Sequence, residues 1–75
     1  DLVLRRDRLI VFCEVKARRT ASHGGPLAAV DERKRVRVRR LAAAWLAAHD
    51  VHGVDVRFDV AAITGVRLEI VESAF

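Results

Sequence analysis

The chain has 75 residues and is 52% hydrophobic, which predicts one small globular domain and excludes a disordered chain. It contains no apolar run of about eighteen residues and no signal-peptide pattern, which excludes a helical membrane span in these residues, and no membrane partner is expected. A formal net charge of +4 hides an asymmetry: nine of the fourteen basic residues lie between Lys16 and Arg40, opposed only by Asp31 and Glu32, so that segment carries +7 and the remainder −3. Such a segment is the electrostatic footprint of a polyanion binder, and equally the solvated surface of an arginine-rich proteome. The single cysteine, Cys13, excludes an intrachain disulfide and points to a reducing cytoplasm.

Leu2–Leu4 and Leu9–Lys16 are apolar runs separated by the polar RRDR, which predicts a β-hairpin with Leu4 near Leu9. That pairing sets Asp1 roughly opposite Phe12 to Glu14. Ala17–Pro26 has turn residues and no periodicity, so a mobile loop is expected there. Asp31 to about His49 reads as a helix, with Asp31 as N-cap and an apolar stripe of Val38, Leu41, Ala42, Trp45 and His49. Val54–Ile63 alternates Val54, Val56, Phe58 and Val60 against Asp55, Arg57 and Asp59, and reads as a strand. Thr64 and Gly65 make a turn, and Val66–Val71 is a last strand with Val66, Leu68 and Ile70 on its apolar face. The fold class is α/β, a mixed β-sheet with the order β-β-α-β-β.

The stretch Leu9–Arg19, LIVFCEVKARR, holds the chemistry. Side chains two apart on a strand share a face. Ile10, Phe12, Glu14 and Lys16 therefore form one row, apolar and then charged. Leu9, Val11, Cys13 and Val15 form the other, apolar throughout. A core strand that ends in a carboxylate and an ammonium is either an ordinary solvated strand end or a working site. Asp1, Glu14 and Lys16 can converge on a small volume. Two carboxylates and the backbone carbonyl of Val15 suit a hard cation, Mg²⁺ or Mn²⁺, and the lysine suits a phosphate or a water. Metal-assisted phosphodiester cleavage is the chemistry such a cluster serves.

Several segments in order resemble one family. Asp1-Leu2-Val3, VFCEVKARR, GGPLAAVDERK, VRFDVAAI and LEIVESAF are similar to motifs of the YraN family, within the PD-(D/E)xK nuclease superfamily and akin to archaeal Holliday-junction resolvases. The resemblance covers nearly the whole chain. It implies a restriction-endonuclease-like core and a catalytic triplet of Asp1, Glu14 and Lys16, with Asp1, Glu14 and Val15 at the metal. It also implies a conserved glutamate and a first helix upstream of residue 1, so that residues 1–75 form a nuclease-like domain truncated at its N-terminus. The family often has glutamine where Arg35 stands.

Extending the helix stripe one turn back from Val38 reaches Lys34, which predicts a lysine facing the sheet; a lysine snorkelling to solvent is the alternative. Arg33, Arg37 and Arg40 fall on an outward line suited to a phosphate backbone, and Arg18 and Arg19 extend that surface. Asp59 reads as the buried partner of an arginine or as a group behind the site. His23 reads as a solvated loop residue, while His49 and His52 suit the helix end. The histidines and Cys13 have no zinc spacing, and no aromatic platform for stacking bases is visible. One helix covers only one sheet face, so the other is expected to be exposed, or covered by an upstream helix or a second copy in a homodimer. Two functions remain open: a metal-dependent endonuclease acting on DNA, branched DNA included, or a nuclease-like module that binds nucleic acid or a protein without cutting.

Overall fold

A computed structural model describes residues 2–18 and 31–75. Strands β1 (Leu2–Arg6) and β2 (Leu9–Arg18), helix α1 (Glu32–Ala48), and strands β3 (Asp55–Thr64) and β4 (Arg67–Val71) follow in that order. The sheet order is β1-β2-β3-β4. β2 and β3 run parallel with α1 between them in sequence, while β1 pairs with β2, and β3 with β4, antiparallel. The sheet is therefore mixed and the class α/β, because only a parallel pair needs a crossover.

The first hairpin closes more tightly than the sequence suggests, and the two-residue turn of the second is shifted by one position. Arg5 and Arg6 belong to β1, not to the turn, so Arg6 pairs with Leu9 and Leu4 pairs with Val11, not Leu9. Two residues suffice because Asp7 adopts φ 54°, a left-handed conformation that aspartate tolerates. Gly65 does the same at φ 60° in the second hairpin, so β4 begins at Arg67 and Val66 is fully exposed in the turn. β2 continues to Arg18, beyond the expected end at Lys16. The remainder of the expected mobile loop, with His23, lies outside the described residues.

Helix α1 starts where its cap predicts. Asp31 is extended, and its Oδ1 accepts from the Lys34 backbone N–H at 2.8 Å. His49 closes the other end, its Nδ1 2.8 Å from the Trp45 carbonyl and its ring stacked on Trp45. His52 pairs with Asp50. The helix lies over β2 and β3. Phe12 meets Trp45 edge-on and stacks on Phe58, both at 5.7 Å, and Arg39 lies 4.9 Å over the Phe58 ring. Ile10, Ala42, Phe58, Val60 and Ala62 are buried in this layer. Leu41, expected in the stripe, is 63% exposed and lines the open cleft between the helix and β1.

On the face opposite the helix, Val11, Cys13 and Ala61 form a small buried cluster with Leu9. Register puts Leu2 and Leu4 beside Cys13 and Val11, and Ile70 and Leu68 beside Ala61 and Ile63, on that same face. All four are about half exposed or more. The apolar row of β4 therefore points to the side of the sheet away from the helix.

Candidate nucleic-acid and metal site

Glu14 lies two residues beyond Phe12 on the helix-facing row of β2, level with Val60 of β3. Lys34 lies one turn before Val38 on the sheet-facing stripe of α1. The Asp31 cap sets the first helical turn, and the Phe12–Trp45 contact holds helix to strand, so these two elements bring the charges together. Lys34 Nζ forms an ion pair with Glu14 Oε1, and the side chains are only 17% and 20% exposed. The lysine thus turns inward instead of snorkelling outward. The second carboxylate oxygen, Oε2, is buried and has no hydrogen-bond partner among the described residues. An acceptor so placed suits a hard cation or its bound water. Among the described residues, no three His, Cys, Asp or Glu side chains cluster as a metal site.

Lys16 follows Glu14 on the same row, level with Ala62 and partly buried. Val15 is level with Ala61. Asp1 and Arg19 lie outside the described residues, and Arg18 is the last residue of β2. An open cleft of about 500 Å³ runs between β1 and the helix, lined by Val3, Phe12, Glu14, Val38, Ala42 and Trp45 among others. Arg33, Arg37 and Arg40 line a second hollow on the helix surface with Val36 and Leu41. The exposed apolar pair within that basic face was not anticipated: Leu41 was expected in the sheet-facing stripe, and Val36 carried no assignment.

Asp59 does not join this site. Register places it on the opposite face, level with Cys13. It is 4% exposed and held by a bidentate pair with Arg57, both contacts at 2.9 Å, and by the Ser73 N–H at 3.1 Å. Arg57 also reaches Glu72 at 3.0 Å, and its hydrogen bond with Asp59 holds the guanidinium pKa above its usual value. The carboxylate thus anchors the turn after β4. Burial, and then the Asp59 charge, push the Cys13 thiol pKa up, which marks that cysteine as an inert core residue. No helix among the described residues is long and apolar enough to cross a membrane.

The profile of the uncharacterised protein family UPF0102 matches residues 1–63. A UPF0102 protein of Beutenbergia cavernae is 49% identical over 67 residues, covering 89% of this chain and 57% of that protein. The UPF0102 protein YraN of Escherichia coli O1:K1 is 43% identical over 77 aligned positions, covering all of this chain and 59% of that protein. The chain thus spans somewhat less than three-fifths of the length of these curated relatives. A profile match across most of the chain and identities above 40% lead to one assignment: the chain belongs to the uncharacterised protein family UPF0102.

Proposed function

We propose that the chain is the core of a PD-(D/E)xK-type, metal-dependent endonuclease that binds nucleic acid and hydrolyses phosphodiester bonds of DNA, branched DNA included. The observation that carries this reading is the buried Oε2 of Glu14, without a hydrogen-bond partner among the described residues, on a row it shares with Lys16 and opposite Lys34. Asp1, Glu14 and the Val15 carbonyl would hold Mg²⁺ or Mn²⁺. A bound ion of this kind supplies an activated water and offsets charge on the phosphate. Lys16 orients that water or neutralises the scissile phosphate. Arg18, Arg19, Arg33, Lys34, Arg37 and Arg40 hold the nucleic-acid backbone, which gives affinity with little sequence preference. The mixed sheet with its β-β-α-β-β order is compatible with the nuclease core.

A second reading, a nuclease-like module that binds without cutting, draws support from the Lys34–Glu14 pair, which neutralises the carboxylate without any metal. Incubating the protein with duplex, flap and four-way-junction DNA in Mg²⁺ or Mn²⁺ separates the two. Cleavage that is lost in both Glu14→Gln and Lys16→Met supports the nuclease. Binding without cleavage across the panel supports the module.

A further inference from the structure

The Glu14 carboxylate is divided between two states. Oε1 is satisfied by the Lys34 ammonium, while Oε2 is buried with no donor among the described residues. A mostly buried carboxylate must be neutralised to rest in such a place, and one lysine achieves that. A lysine ammonium is a point charge on a flexible stem, so it satisfies one oxygen without occupying the other. A divalent cation on Oε2 would set two positive charges beside the ammonium already present. In a partly desolvated volume those charges repel, and the carboxylate cannot hold both at full strength. The lysine has somewhere else to go, because α1 borders the open cleft one turn further on, at Arg37 and Val38.

We propose that Lys34 is a displaceable counter-ion of Glu14. It closes the carboxylate while no divalent cation is bound, and cation binding releases its ammonium to a phosphate in the cleft. This deepens the proposed function and rests on its reading of Glu14 as a cation ligand. Lys34 is thereby a positioning residue that acts through Glu14 and sets the affinity of the site for its ion. The arrangement makes a specific demand of substitutions. Removing the charge should tighten cation binding, the reverse of what removing a supporting side chain does. Replacing the point charge with a planar guanidinium fork, which takes both carboxylate oxygens, should weaken it.

The test is Mn²⁺ titration of the full chain, read by electron paramagnetic resonance of the free ion, with circular dichroism melting to establish that each variant folds. Glu14→Gln should abolish the site. Lys34→Gln should tighten Mn²⁺ by about tenfold, the low end of what a single charge within a few ångströms does to a neighbouring site. Lys34→Arg should weaken Mn²⁺ several-fold. Lys34→Gln at wild-type affinity or weaker, with Glu14→Gln still abolishing the site, overturns the counter-ion role and leaves Glu14 as a ligand. If Lys34→Gln does not fold, Lys34→Arg decides alone, and wild-type or tighter binding there overturns the role. Mn²⁺ binding undiminished in Glu14→Gln, or absent from the wild type, overturns the ligand reading and the counter-ion role with it.

Discussion

Phe12 is the residue on which the helix, and with it Lys34, depends. Its ring lies between Trp45 of α1 and Phe58 of β3, 5.7 Å from each, two residues before Glu14 on the same row. Phe12→Ala deletes both ring contacts and leaves a cavity under the helix. Such truncations cost about 3–5 kcal/mol in full cores, and Phe12 is only partly buried, so a loss of about 3 kcal/mol is expected. A domain of 75 residues has about 4–11 kcal/mol in total, so this one change removes a large share. Urea unfolding followed by tryptophan fluorescence measures it directly, because Trp45 is the only tryptophan and sits against Phe12. Its emission should shift to the red in native Phe12→Ala, and Phe12→Leu should recover more than half of the lost stability. A double-mutant cycle with Trp45→Leu should give a coupling of about 1 kcal/mol. A loss below about 1 kcal/mol with unchanged Trp45 emission refutes the view that this contact docks the helix.

Three further outcomes are expected. Cys13 has a thiol pKa raised above its ordinary value of 9.0, so the unfolded chain ionises first as pH rises. Its contribution to stability is complete below that value and is lost as pH climbs through the folded pKa. Cys13→Ala should flatten the stability–pH curve above about pH 9, and an unchanged slope there counts against it. Arg37→Ala with Arg40→Ala should weaken binding to all DNA sequences alike and lower the salt slope by roughly one for each phosphate no longer neutralised; a slope equal to wild type removes these arginines from the interface. Leu68→Glu with Ile70→Glu, on the sheet face opposite the helix, should hold the protein monomeric in light scattering at concentrations where the wild type associates. Equal masses for both would show that this face does not self-associate.

The strands and the helix were legible because their signals are local. Alternation at Val56, Phe58 and Val60, the apolar run from Leu9 to Cys13, and an aspartate cap before an alanine-rich stretch each act within a few residues. The first hairpin was less so. RRDR reads as four polar residues, and nothing in composition says that Asp7 must take a left-handed conformation while Arg5 and Arg6 pair in the sheet and Arg8 stays in the turn. The role of Asp59 was half legible. Its parity put it away from the core row, but its hold on the Ser73 N–H joins residues fourteen positions apart, beyond any local pattern.

The site shows the same division, and it turns on a single distinction. That Glu14 shares a face with Phe12 follows from the strand period, and that Lys34 faces the sheet follows from the helix period. Neither period says that the two faces meet at the same height. That depends on where the parallel register sets β2 against β3 and on where the helix lands across them. The register, Glu14 level with Val60 and Phe12 level with Phe58, is a tertiary outcome. The aromatic contacts of Phe12 fix the helix at that level, and Lys34, eleven residues before Trp45, is then carried to the carboxylate. The E-x-K spacing on the strand drew attention to Lys16 as the lysine beside Glu14, suited to a phosphate or a water. The ammonium paired with its Oε1 in the structure belongs to Lys34, whose side chain comes down onto the strand from the covering helix.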